Sequence, residues 1–312
     1  MVTLKGIRGK NIHMPVPCVL AVGKFESIHL GHRALINEMV RLAKGAGLAS
    51  AVVVFKPHPS RVLYDSAYKL LLTDCERAHL VAGLGVDYLL EYPFDESFAA
   101  ISPFQFCRML YEDLQGRYII VGEGYRFGHK RAGTADTLRQ TAMTYGAQVY
   151  EVAPVGVTDK TSTSVIRGLL SENKLAEAEH LLGYSFFIMG EVTPGQRLGR
   201  TIGFPTLNIY PSDEKFLLTD GVYASRTLLD GREYMGITNI GLRPTVSGVD
   251  APRSVETHLL DYTCVGGEEL YGKHIRTHFL RFIRPEQRFD SIDALKSQIH
   301  KDCNSIMGNE EA

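Results

Sequence analysis

Tryptophan is absent from this chain of 312 residues, and cysteine is scarce, with five at Cys18, Cys75, Cys107, Cys264 and Cys303. Their number is odd and no CxxC pair occurs. That excludes a fully paired disulfide framework and the cysteine-built zinc and redox motifs, and free thiols in a reducing compartment fit best. An excess of one charge is missing too. Lys and Arg number 34 against 35 Asp and Glu, for a formal net charge of -1, so no global basic field exists to hold nucleic acid. Long apolar runs are also lacking. The stretch Val16 to Val22, interrupted by Pro17, is far short of a membrane span, and Lys24 follows in place of a small-residue cleavage site. The expectation is a cytoplasmic protein whose partners are small molecules, neither nucleic acid nor membrane. Oligomeric state is not legible.

What is present is the balance of a soluble globular protein, 45% hydrophobic and 22% charged residues, over a length that favours two domains. Residues 1–182 alternate apolar strands (Cys18–Val22, Ala51–Phe55, Asp87–Leu90, Tyr118–Val121, Gln148–Val152) with amphipathic helices (Arg33–Lys44, Cys75–Leu84, Pro103–Leu114, Thr137–Tyr145, Leu175–Leu182). That pattern predicts an α/β domain with a parallel sheet covered on both faces. Residues 183–312 change character. Short strand-like runs (Phe187–Val192, Val222–Thr227, Tyr234–Ile240, Ser254–Leu260, His274–Phe282) alternate with Gly and Pro turns, which predicts an antiparallel β-barrel. Ile292, Leu295, Ile299 and Cys303 then line one face of a terminal helix.

In the first domain the opening strand runs into Gly23-Lys24-Phe25-Glu26-Ser27-Ile28-His29-Leu30-Gly31-His32 and a helix. His29 and His32 lie three apart at the helix start, where unpaired N–H groups favour a phosphate. Gly31 leaves room for close approach of a nucleotide. Two imidazoles at one phosphate can stabilise charge developing during nucleotidyl transfer. Zinc is disfavoured, since no third ligand stands at a suitable spacing. Three further segments are candidates for the same pocket: His58 between Pro57 and Pro59, the Gly122–Arg131 run carrying Arg126, and Ser162–Arg167 carrying Ser164 and Arg167.

In the second domain Gly195, Arg197, Gly199, Arg200 and Gly203 describe a flexible cationic flap able to close over ATP phosphates. Pro205 fixes the chain ahead of Thr206 and Asn208, which sit two apart on an extended segment and so face the same way. Their neutral oxygens suit Mg2+ shared with phosphates. Glu256, read as an inward carboxylate of the barrel, is the candidate general base for an alcohol attacking the γ-phosphate. The P-loop-like Gly267…Gly272-Lys273 is rejected, because His274 replaces Ser or Thr and a strand follows it. His274 and His278 read as packing or surface residues.

These motifs resemble the bacterial bifunctional riboflavin kinase/FAD synthetase family over nearly the whole chain. The resemblance rests on GFPTLN at Gly203–Asn208, the run Asn239–Thr245 with Arg243, the Glu256 segment and Leu270-Tyr271-Gly272. In the first half it rests on His29, Gly31, His32, Pro57-His58-Pro59 and the Ser164/Arg167 segment. It implies a nucleotidyltransferase α/β domain followed by a riboflavin kinase-like six-stranded barrel. Thr206 and Asn208 would hold magnesium, and Glu256 would activate the ribityl 5′-hydroxyl of riboflavin. ATP would be co-substrate, and riboflavin, FMN and FAD substrate or product. Glu26 and Ser27 stand where the family usually shows Asp-Gly, and Gly124 where Asp or Asn is usual. Those departures imply FMN adenylylation that is weakened or lost. A monofunctional riboflavin kinase with a scaffold first domain and a flavin-sensing regulator without catalysis remain alternatives.

Overall fold

The computed structural model describes residues 1–153, 161–195, 198–242, 253–262 and 268–307. The chain separates into two compact units, Met1–Thr163 and Ser164–Ala312. Beyond Thr163, the helices Thr163–Ser171 and Leu175–Leu182 therefore group with the second unit, although they precede the expected boundary at residue 183.

The first unit is a six-stranded parallel sheet. Its strands are β1 (Val2–Lys5), β2 (Cys18–Val22), β3 (Ala49–Lys56), β4 (Tyr88–Pro93), β5 (Gly116–Gly122) and β6 (Gln148–Val152), in the order β1-β4-β3-β2-β5-β6. Every residue of β2 is buried, because helices cover both faces of a parallel sheet. Helix α1 (Leu30–Ala46) turns Leu35, Ile36, Met39, Val40 and Ala43 inward at helical spacing and packs on β2 and β3. It ends where Gly47 takes φ +65° and returns its N–H to Ala43 and Lys44. The helix expected over Pro103–Leu114 is α-helical only to Arg108 and widens into a π-helical turn over Met109–Asp113. Strand β2 and the first turn of α1 meet at the carboxyl edge of the sheet, the usual ligand edge of such folds.

The second unit is an antiparallel six-stranded barrel of β7 (Phe187–Glu191), β8 (Leu207–Ile209), β9 (Gly221–Leu229), β10 (Arg232–Leu242), β11 (Arg253–Leu259) and β12 (His274–Arg284), in the order β7-β12-β9-β10-β11-β8. Among the described residues, a bridge between Thr193, just past β7, and Asn208 of β8 brings the two end strands together. The inner face is polar yet satisfied. Thr238 lies 2.7 Å from Ser225 Oγ and 2.9 Å from Thr257 Oγ1, and Thr227 pairs with Thr277 at 3.0 Å. These hydroxyls are fully buried, and each finds a partner. The outer face carries Val222, Ala224 and Ile237, against which the terminal helix α2 (Ile292–Met307) packs Ile299, Cys303 and Ile306.

Arg284 of β12 and Asp302 of α2 pin that helix in place. Their closest approach is 2.8 Å, and the Asp302 side chain is only 2% exposed. Removing one partner strands a buried charge. Asp302→Ala is therefore expected to destabilise the second unit by about 3 kcal/mol, read in chemical unfolding. The double change Arg284→Met with Asp302→Leu should recover much of that loss. A single variant as stable as the wild type would show that the pair does not anchor the helix.

Candidate functional site

Each unit assembles a polar site of its own. In the first, the loop between β2 and α1 turns sharply. Phe25 and Ile28 are fully buried at φ 46° and 44°, the left-handed region that L side chains rarely occupy. A Cβ at Gly23 would lie 3.1 Å from the Phe25 ring, so glycine there leaves that ring room to fold back. Phe25 then meets His32 edge-on at 5.2 Å. His29 caps α1, its Nδ1 accepting the His32 backbone N–H at 3.2 Å. With Nδ1 accepting, the neutral ring carries its proton on Nε2 as a donor. The two imidazoles stack at 3.8 Å with 11° between planes, and His32 Nδ1 is buried with no hydrogen-bond partner among the described residues. Burial lowers His29 from 6.5 to about 4 and His32 to about 3, the latter also through repulsion from His29. Both rings are neutral donors at neutral pH, next to a helix N-terminus in which Gly31 occupies the first turn.

His58 is drawn to this loop through Glu26. Its Nδ1 accepts from Ser60 N at 3.2 Å, and its Nε2 lies 3.8 Å from the buried Glu26 carboxylate. Tyr68 stacks on His58 and donates its hydroxyl to Glu26 at 3.0 Å. Ser27, fully buried, shares a 3.0 Å hydrogen bond with Thr163. Glu26 and Ser27 are thus built into the loop by specific partners. Arg126 is exposed, and Gly124 takes φ +71° in open space. Ser164 is exposed and Arg167 lies over the Phe216 ring at 5.0 Å; by their contacts both group with the second unit.

In the second unit, cross-strand register lines up three polar residues. Asn208 of β8 faces Glu256 of β11, which faces Asn239 of β10. Opposed residues on antiparallel strands project to the same side. That side is opposite to the buried Thr257 and Thr238, so Glu256 stands on the outside of the barrel beside α2. The sequence alone points it inward, but the inner face is filled by hydroxyl and aromatic side chains such as Thr238, Thr257, Tyr223 and Phe279. Glu256, Asn239, Thr206 and His258 line a cavity of about 310 Å³, roofed by Leu295 and Ile299 of α2, within the usual size range for small-molecule sites. Ser254 Oγ lies 3.2 Å from Glu256 Oε1.

Thr206 also lines a smaller adjoining cavity with Gly195, Arg200, Pro205 and Asn208. Asn208 is 5% exposed, and its Nδ2 donates to the Thr206 carbonyl at 3.3 Å. Its Oδ1 is buried with no hydrogen-bond partner among the described residues. A buried acceptor left open calls for a water or an ion, and an amide oxygen suits a hard cation. The backbone is shaped around it, since a Cβ at Gly195 would fall 2.5 Å from Asn208 Nδ2. A Cβ at Gly199 would fall 2.3 Å from the Phe204 carbonyl, and Gly203 takes φ +89° to complete that turn. The expected flap contains one helical turn, Leu198–Thr201. Among the described residues no cluster of three or more His, Cys, Asp or Glu could hold a metal; a cation here would need phosphate oxygens as well. Arg197 and Arg243 lie outside the described residues.

Sequence reasoning passed over Phe25, Tyr68, Asn239 and His258. The last two carried a usable signal: Asn239 opens a quoted motif, and His258 follows Glu256 by two on one strand, hence on the same face.

Residues 11–165 match the family model described as FAD synthetase, and residues 182–308 the model described as riboflavin kinase. The bifunctional riboflavin kinase/FMN adenylyltransferase of Escherichia coli strain K12 is 37% identical over 308 residues, covering 97% of this chain and 96% of that one. The protein of that description from Bacillus subtilis strain 168 is 34% identical over 288 residues, covering 91% and 90%. A crystal structure from Streptococcus pneumoniae described as a macrolide-efflux protein superposes with a TM-score of 0.83 at 27% identity, covering 97% and 98%. Efflux is said of that protein alone. Here no described helix is long and apolar enough to cross a membrane.

Proposed function

The chain belongs to the bifunctional riboflavin kinase/FMN adenylyltransferase family, and from that premise we propose that it makes FMN in its second unit and FAD in its first, in the cytoplasm. In the second unit riboflavin and ATP give FMN and ADP. The observation that carries this reading is the row Asn208–Glu256–Asn239, in register beside a cavity of about 310 Å³. Glu256 takes the proton of the terminal ribityl hydroxyl as that oxygen forms its bond to the γ-phosphorus, and ADP departs with the electrons of the broken P–O bond. Asn208 Oδ1 and the Thr206 hydroxyl would hold magnesium together with phosphate oxygens. Bound there, the ion neutralises charge on the transferred phosphoryl group. Gly195, Gly199, Gly203 and Pro205 shape the cradle, while Arg200, with Arg197 and Arg243, supplies positive charge for the phosphates.

In the first unit a phosphate oxygen of FMN attacks the α-phosphorus of ATP and pyrophosphate leaves, giving FAD. His29 and His32 donate hydrogen bonds to oxygens gathering charge, with Gly23 and Gly31 admitting the nucleotide and His58 and Arg126 completing the pocket. Glu26 is a buried carboxylate three residues ahead of His29 in the same loop, a negative charge that disfavours phosphate there, so the second reaction is the slower one. The histidine pair keeps its cap and stacking alongside Glu26 and Ser27, which supports a working site.

Incubation with riboflavin, ATP and magnesium, followed by chromatographic separation, should yield FMN first and FAD later. No FMN would sink the reading of the second unit, and FMN without FAD that of the first. Gly195→Ala should raise the KM for ATP at least about tenfold, since its Cβ would displace the Asn208 carboxamide and ångström-scale misplacement is costly. Steady-state kinetics with unchanged ATP dependence would contradict the cradle.

A further inference from the structure

We infer that His258 is a positioning residue of the kinase site, which holds the Pro205 carbonyl and through it aims Thr206 and Asn208 at the phosphates. The inference deepens the kinase reading and rests on it. The ladder between β8 and β11 begins only at Leu207, opposite Thr257. Among the described residues, Thr206 and those just before it therefore stand outside that ladder. Pro205, having no N–H, cannot donate to it.

Two contacts hold this segment instead. Phe204 N–H returns to the Gly199 carbonyl at 2.7 Å, closing the turn behind it. His258 Nδ1 lies 2.9 Å from the Pro205 carbonyl oxygen, which belongs to the peptide joining Pro205 to Thr206. A carbonyl only accepts, so Nδ1 carries the proton and donates, whether the ring is neutral or charged. The His258 ring also meets the buried Phe204 ring edge-on at 5.3 Å, and His300 meets Phe204 from α2 at 4.9 Å.

One side chain thus grips the segment at consecutive residues. Because His258 and Glu256 share a strand face, the candidate base and the grip on the candidate metal ligands are carried by one rigid strand. Freeing the Pro205 carbonyl lets the peptide plane between Pro205 and Thr206 rotate. That swings the Thr206 side chain and unsettles Asn208 two residues on. Glu256 would stay where it is while its partners in phosphate binding drift, a loss of preorganisation rather than of chemistry.

Three substitutions separate this from other roles. His258→Phe keeps a ring beside Phe204 and removes the donor. His258→Asn places an amide N–H where Nδ1–H stood. His258→Gln reaches instead to the Nε2 position. Phe and Gln should lower kcat for FMN formation about tenfold or more, while Asn stays within about threefold of wild type. Calorimetric binding of ADP with magnesium should weaken in Phe and Gln but not in Asn, and ADP binding without magnesium should be alike in all four proteins.

Rescue by Gln and not by Asn would overturn the inference in favour of direct contact through Nε2. So would wild-type kinetics in all three variants, or equal losses in all three accompanied by lowered melting temperatures. A wild-type protein that forms no FMN overturns the kinase reading and this inference together. FMN formation by the wild type without rescue by Asn overturns the inference alone.

Discussion

Glu256→Gln is expected to cut FMN formation by a factor on the order of 10²–10⁴, with riboflavin binding nearly unchanged. The amide has the shape of the carboxylate and can keep the hydrogen bond from Ser254 Oγ, 3.2 Å from Oε1. It cannot take a proton. The two asparagines of the row have partners of their own: Asn239 Nδ2 donates to Glu286 at 3.0 Å, and Asn208 Nδ2 to the Thr206 carbonyl. The cavity should therefore retain its shape, and the loss should fall on kcat with little change in KM for riboflavin, which marks a group acting in the transition state. Flavin fluorescence quenching measures binding separately from turnover. If Gln retains more than about a tenth of the wild-type kcat, proton removal by this residue is not the source of the rate, and the role of the row shrinks to binding.

Strand–helix alternation was enough to read the first architecture, because continuous apolar runs such as Val52–Val54 leave few other places for a chain to go, and short strand-like runs between Gly and Pro turns were enough for the second. Two strands escaped. The edge strand Val2–Lys5 is four residues long and largely exposed, and Leu207–Ile209 is three residues long inside a stretch dominated by Gly and Pro. Neither is long enough to show a period. Thr206, Asn208 and Glu256 were singled out by their chemistry, and the fold brings Asn208 and Glu256 into register, yet the direction of Glu256 was read backwards. Alternation tells which residues share a face but not which face is the interior. Here the outside is covered by Ile292–Met307 and the inside is lined with hydroxyls, so polarity misleads. Phe25 and Ile28 were illegible for a different reason, since their left-handed backbone is imposed by packing and has no glycine to announce it. The coupling of His58 to the first loop passes through Glu26 and Tyr68, 42 residues apart in sequence, a contact that only folding creates.

His29→Asn is expected to lower FAD formation at least about 10²-fold, the usual cost of losing one preorganised donor to developing charge, with FMN formation within about twofold of wild type. Asparagine can still cap α1, as Nδ1 now does for His32 N–H, because Asn is among the best N-caps. The helix survives and the Nε2–H donor does not. The substitution should also change the response to acid. Burial holds His29 and His32 at about 4 and 3, below the ordinary 6.5, so between those values the unfolded chain binds protons that the folded one refuses. The stability these neutral rings contribute is full above about pH 6.5 and is lost as pH falls through about 4 for His29 and about 3 for His32. His29→Asn removes one of the two groups and relieves His32 of its charged neighbour, so the first unit should lose less stability than wild type over that window. Urea unfolding of both proteins at several pH values reads the difference. Parallel pH profiles would contradict the buried neutral pair, and FAD formation at the wild-type rate in His29→Asn would remove this histidine from the chemistry.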